Sequence, residues 1–243
     1  MIPEFPNFIG ILSKFFPKNE FFKFLFEWEN IVFSLIVIAI IVLFAWLGVR
    51  KMKIIPDRRQ SFFESLAEGL DEFLKSLLGG SSRKYLPFLG TLFIYILLMN
   101  LIGLIPFMKS PTASLSTTFA LAIIVFIYVQ FTAIKELGLW GYLDHLAGRP
   151  RGVMAMIVVF PIFMLILHLI TELIRPISLS MRLRGNIWGD DILLAVLAGF
   201  GAAGFPLLLV NMVIAVLTAV IQALVFCLLS AIYFALVLKQ EHN

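Results

Sequence analysis

The chain has 243 residues, 61% of them hydrophobic and 14% charged, with a formal net charge of +4 and a mean hydropathy of +1.01. This is too apolar for a soluble domain, and several runs approach or exceed the roughly 18 apolar residues that mark a membrane-crossing helix. The composition predicts an all-α, polytopic membrane protein, and the small basic excess points to cytoplasmic loops in a bilayer rather than to nucleic acid.

Residues 1–29 alternate phenylalanine with Lys and Glu (Phe15, Phe16, Lys18, Glu20, Phe21, Phe22, Lys23). They read as an outer, interfacial or partner-bound segment, without the basic-then-apolar order of a signal peptide. Residues 31–49 are apolar except for Ser34 and predict the first crossing. The loop after them carries Arg50, Lys51, Lys53, Arg58 and Arg59, which places it in the cytoplasm and the N-terminus outside. Ser61 with Glu64 makes a capping-box pattern opening an amphipathic helix over 61–78, ended by Gly79-Gly80. Its apolar stripe suits a helix lying on the membrane surface, and its acidic face suits a protein partner.

Residues 86–107 and 114–134 predict a transmembrane hairpin with its turn at 108–112. Asn100, Ser114, Ser116, Thr117 and Thr118 at its outer end read as helix–helix hydrogen bonds and caps, or as the lining of a wet vestibule. Residues 135–152, with Lys135, Arg149 and Arg151, read as a solvated cytoplasmic loop. Residues 153–188 predict a helix of about 54 Å, nearly twice the apolar thickness, with Pro161 and Pro176 as candidate bends. Gly189-Asp190-Asp191 reads as an acidic outer turn. Residues 192–238 are almost wholly apolar, with 207–238 unbroken for about 48 Å, which implies a steep tilt. Asn211, Ala215, Thr218, Gln222 and Tyr233 share one face of it, a small and polar stripe fit for close helix packing. The tail after Lys239 is cytoplasmic, and five crossings fit that end point. The whole is a single transmembrane domain, 1–243.

The lone cysteine, Cys227, reads as a small core residue. Three histidines without an HExxH pattern argue against a zinc enzyme. No phosphate-binding loop, nucleophile elbow or internal repeat is present.

The chemistry-bearing stretch is His168-Leu-Ile-Thr-Glu-Leu-Ile-Arg-Pro-Ile-Ser-Leu-Ser-Met-Arg-Leu-Arg-Gly-Asn186. At about 100° per residue from Arg182, His168 and Asn186 fall near +40°, Arg175 near +20°, Thr171 near −20°, Ser178 near −40° and Glu172 near +80°. One stripe is therefore polar and ionisable inside an apolar helix. Arginine stays charged when buried. At bilayer depth it costs at least ~2.5–3.5 kcal/mol by insertion scales, which argues for a paired or water-lined site and an ion path. The plainer reading is an Arg182–Glu172 pair or a snorkelling side chain.

The segment Arg175-Pro-Ile-Ser-Leu-Ser-Met-Arg-Leu-Arg-Gly-Asn186 resembles the a subunit of rotary F-type ATP synthases, whose pattern there is roughly RP-x-SL-x-x-RLFGN. The resemblance extends to Leu86-Pro-Phe-Leu-Gly-Thr-Leu-Phe, Asn100-Leu-Ile-Gly-Leu-Ile-Pro106, Pro111-Thr-Ala with Leu115-Ser-Thr-Thr, and Gln222-Ala-Leu-Val-Phe. These motifs run in the family's order from about residue 86 onward; the first 85 residues match only in layout.

The resemblance implies a membrane stator subunit, not an enzyme by itself and without cofactor or metal. It would pass protons or sodium ions through two half-channels to and from a c-subunit ring, beside b-type peripheral stalk subunits, in a bacterial inner membrane. It implies that Arg182 faces the ring carboxylate and that Asn186 and Gln222 neighbour Arg182. Asp191, with Asp190, then belongs to the outer half-channel, and His168 and Glu172 are ionisable positions on the arginine helix. Arg184 departs from the pattern, where phenylalanine is usual; a pairing with Asp190, Asp191 or a lipid headgroup is open. A stand-alone transporter with Arg182 binding an anion would predict inverted repeats or paired broken helices, and neither is seen. A hydrolase using His168 and Glu172 on a metal would have too few ligands.

Overall fold

The computed structural model describes residues 24, 27–49, 58–105, 108–146 and 154–239. Most of the N-terminal segment, the Arg50–Lys53 cluster, Arg149, Arg151 and the tail lie outside the described residues.

The described chain is helical. Helix α1 spans Glu29–Val49, α2 Arg58–Leu78, α3 Ser82–Ile102, α4 Leu115–Leu146, α5 Met154–Gly199 and α6 Phe205–Lys239. Short 3-10 turns at Gly79–Ser81, Pro111–Ala113 and Gly201–Gly204 join α2 to α3, α3 to α4 and α5 to α6. Five stretches are long and apolar enough to cross a membrane: Glu29–Trp46, one within Phe63–Ile102, Leu115–Glu136, Phe163–Gly199 and Phe205–Leu238. In lipid every backbone polar group needs a partner within the chain, which is why such apolar runs become helices.

Two boundaries differ from the sequence expectation. Residues 135–146, expected as loop, are helical, with a kink at Gly138, whose φ of 71° suits a residue without Cβ. Gly189-Asp190-Asp191, expected as a turn, lies inside α5, which runs on to Gly199. Local composition suggested a stop; the packing of α5 along the bundle carries the helix through. Part of the apolar stripe of α2 rests on the protein core. Leu74 and Leu78 are buried in the core shared with α3 and α6, and Leu70, Phe73 and Leu77 pack against it. Glu64, Glu68 and Glu72 stay exposed.

The core is built by α3, α4 and α6, with part of α5. Along α6, Ala215, Ala219, Ala223, Cys227 and Ala231 are buried at near four-residue spacing, the small-residue stripe that lets helix backbones approach in lipid. Cys227 donates its thiol to the Leu89 carbonyl at 3.6 Å. Buried Ser180, Thr118, Thr132 and Ser230 satisfy their hydroxyls on carbonyls of their own helices. Tyr85 stacks on Phe234 at 4.8 Å, Phe88 meets Tyr128 at 4.5 Å, and Tyr128 meets Phe234 edge-on at 5.4 Å. This aromatic cluster ties α3, α4 and α6 together. Phe234→Ala is expected to destabilise the fold by about 3 kcal/mol, mostly as lost contacts around a cavity. Thermal unfolding in detergent checks this; a variant melting with the parent sinks it.

The turn between α3 and α4 carries its own polar network. Ser110 Oγ donates to the Met99 carbonyl at 2.9 Å, and Thr112 donates to Asn100 Oδ1 at 2.8 Å, with all three side chains buried. Ser114 Oγ and Thr117 Oγ1 lie 2.7 Å apart where α4 begins. These bonds tie the turn to the end of α3 and link side chains at the start of α4. Lys109 pairs with Glu29 at 2.5 Å, tying the turn to the start of α1.

Candidate functional site

At 46 and 35 residues, α5 and α6 have lengths of about 69 and 52 Å, well beyond ~30 Å of hydrocarbon. They run antiparallel and in one register. Asn186 donates to Gln222 at 2.5 Å, and Arg175 lies over the Tyr233 ring at 5.1 Å. Both partners are eleven residues further along their helices, in opposite directions, so the two helices stay side by side over that length.

The stretch Phe163–Gly199 is only 17% buried, against 50% for Phe63–Ile102. Helix α5 is thus a border helix. Its packed side carries Pro176, Leu179, Ser180, Leu183 and Ile187. Its open side carries Ile170, Ile174, Ile177 and Met181, and α6 likewise exposes Val213, Ile214, Leu217 and Ile221. Leu183 and Ile187 are buried while Leu169, Leu173 and Ile177 are exposed, so the apolar residues opposite the polar stripe divide between the packed and the open side.

The polar stripe lies where these two sides meet. Arg182 is exposed, and among the described residues no hydrogen bond or ion pair reaches its guanidinium. The Arg182–Glu172 pair allowed by the sequence is not formed. Glu172 instead accepts from Arg175 Nη1 at 2.6 Å and from Gln130 Nε2 of α4. His168 Nδ1 donates to the Met164 carbonyl at 3.0 Å. Asn186 and Gln222 meet each other one turn beyond Arg182. Asp190 is half-buried and Asp191 exposed. Because the helix continues, Asp190 falls near +80° from Arg182, on the Glu172 side, and Asp191 near 180°. Arg184 Nε donates to the Ala113 carbonyl at 3.3 Å, fastening α5 to the turn between α3 and α4.

Sequence reasoning missed Gln130 and Tyr233 as neighbours of the Glu172–Arg175 pair. A lone glutamine in an otherwise apolar run of α4 was the available signal. Among the described residues no group of three or more His, Cys, Asp or Glu converges as a metal site would require.

Comparison with known proteins supplies the rest. The profile of the ATP synthase A chain family matches residues 31–235. The chain is 43% identical over 249 residues to the ATP synthase subunit a of Protochlamydia amoebophila (strain UWE25), covering 99% of this chain and 91% of that protein. It is 37% identical over 229 residues to the ATP synthase subunit a of Desulfosudis oleivorans (strain DSM 6200 / JCM 39069 / Hxd3), covering 94% and 96%. The ATP synthase subunit a of Moorella thermoacetica (strain ATCC 39073 / JCM 9320) is 37% identical over 208 residues, covering 86% and 89%. A polytopic helical chain matched over nearly its whole length, with the Arg182 motif on a long and largely exposed helix, belongs to the ATP synthase A chain family, the a subunits of F-type synthases.

Proposed function

We propose that this subunit passes protons between two aqueous half-channels and a c-subunit ring, with Arg182 separating the half-channels. The observation that carries the reading is the exposed guanidinium of Arg182, unpaired among the described residues, beside the exposed apolar side chains of α5 and α6. A permanent charge facing hydrocarbon is unfavourable, so such a face calls for a partner helix bearing an acid. The ring carboxylate is that acid, and the basic loops place the first 29 residues outside and the tail in the cytoplasm of a bacterial cell.

In this reading a proton from outside passes Asp190 and Asp191 and neutralises a ring carboxylate. The neutral carboxyl tolerates lipid where the carboxylate does not, so the ring turns. On reaching the inner half-channel the carboxyl releases its proton, and the carboxylate is favoured by Arg182. The Asn186–Gln222 bond holds polar groups beside the arginine at the meeting of the two helices. His168 and Glu172 lie on the inner stretch of the same helix. Peripheral stalk subunits of b type would bind away from the ring face, where α1 leaves Leu35, Val42 and Phe44 exposed.

Cross-linking tests the docking. With a cysteine placed near the ring carboxylate, Met181→Cys is expected to form an oxidative cross-link to the ring, while Val125→Cys, buried in the core, is not. A ring that never cross-links to position 181 or to neighbouring open-face positions of α5 would remove the basis of the reading.

A further inference from the structure

At the ends of α3 and α4 far from the turn that joins them lies a basic patch that the proposed ion path leaves unused. Arg83 and Lys84 stand in the first turn of α3, which holds no acid and no side-chain cap. Cations at the start of a helix oppose its dipole, so these two do not stabilise α3 itself. Lys135 and Glu136 close the apolar stretch Leu115–Glu136 of α4. Lys84 pairs with Glu136 across the two helices, yet its side chain stays 52% exposed. Arg83 and Lys135 are exposed, and among the described residues no hydrogen bond or ion pair reaches either of them. Asp71 of α2 is taken by Lys75 at 2.7 Å and by Ser82 Oγ at 3.1 Å. From Lys135 toward the middle of the span, α4 exposes Ile134, Phe131, Ile127 and Ile124, spaced three or four residues apart along one face.

We propose that this patch binds the phosphate of an anionic phospholipid, with an acyl chain lying along Ile134, Phe131 and Ile127. The Arg83 guanidinium and the Lys135 ammonium supply charge-assisted donors for phosphate oxygens. Lys84 adds a third cation, and Glu136 offsets one of the three, which leaves two positive charges uncompensated. An amphiphile explains both halves of the surface, the charged end and the apolar stripe that runs on from it. An acidic peptide would account for the charges alone. Basic clusters between crossing helices are recurrent sites for anionic headgroups, most of all on the cytoplasmic side, which is where the proposed orientation puts this end. The bound phosphate would bridge α3 to α4 just before the kink at Gly138.

The test uses the whole synthase in phosphatidylcholine vesicles that carry a small fraction of photoactivatable phosphatidylglycerol. The probe sits in both leaflets, so the result does not depend on orientation. Lipid attached to this subunit is read by mass spectrometry of its peptides, and is expected on α4 within residues 127–134. Arg83→Gln and Lys135→Gln are each expected to lower that label about fivefold, the scale of one basic residue at an anionic surface. Lys75→Gln, whose charge is held by Asp71, is the control expected to label as the parent does. Parent-level label in both Arg83→Gln and Lys135→Gln overturns the site, as does equal label from a photoactivatable phosphatidylcholine. Displacement of the label by millimolar inorganic phosphate would mark a soluble-anion site and overturns the lipid assignment. Label on the purified full chain but not on the synthase would show a protein partner covering this face, which overturns it as well. None of these outcomes bears on Arg182, so the half-channel reading stands or falls separately.

Discussion

Arg182→Ala is expected to abolish ion-driven ATP synthesis while leaving ATP hydrolysis by the soluble head intact. The guanidinium is the charge left open on the α5–α6 face. It stabilises the ring carboxylate after the proton leaves, and it repels cations that would otherwise pass from one half-channel to the other. One charge moving through 100 mV is worth ~2.3 kcal/mol, so a modest gap in this barrier lets the drive leak away. Loss of such a preorganised charge is expected to lower synthesis at least about a hundredfold. Arg182→Lys keeps a charge but replaces a weakly hydrated, planar fork with a compact ammonium, and is expected to recover little of the loss. Synthesis in energised vesicles, set against hydrolysis by the same preparation, reads both variants. Full coupled synthesis by Arg182→Ala would end the assignment.

Gly204→Ala is expected to disrupt the corner between α5 and α6. An added Cβ would sit 2.3 Å from the Leu197 carbonyl oxygen and 3.1 Å from Phe200 Cβ. The first contact is with backbone, so the helix end itself has to move. Overpacking of this kind costs about 1–3 kcal/mol and sometimes more. The consequence reaches beyond stability, because this corner sets the register that joins Asn186 to Gln222 and Arg175 to Tyr233. The variant is expected to melt earlier in detergent and to enter the assembled synthase poorly. Gly199→Ala, whose added Cβ meets nothing within 4 Å, is the control expected to behave as the parent. Equal melting of the two variants would show that the corner yields without cost.

Much of the site was legible one helix at a time. The 100° spacing put Arg175, Arg182 and Asn186 on one stripe of α5, and apolar length marked the crossings. What failed to show was contact between helices. The Glu172 carboxylate is claimed by Arg175 on its own helix and by Gln130 on α4, rather than by Arg182. Arg184 finds a carbonyl in the turn after α3, 71 residues away in sequence. The acidic triplet around Asp190 read as a turn because Gly and Asp are poor helix formers, a weak preference that packing overrides.

The sequence by itself determined that this chain lives in a bilayer, that it crosses as long helices, and that one of them carries a permanent cation among apolar neighbours. Those properties follow from local hydropathy and helical periodicity, which each segment expresses alone. Only the tertiary structure decided which side of α5 is packed and which is open. It likewise decided that Arg182 has no hydrogen-bond or ion-pair partner among the described residues while Glu172 is held, and that Asp190 rather than Asp191 faces the Glu172 side. In lipid the apolar effect does not discriminate between one helix face and another, so these outcomes rest on small-residue packing, corner geometry and interhelical hydrogen bonds.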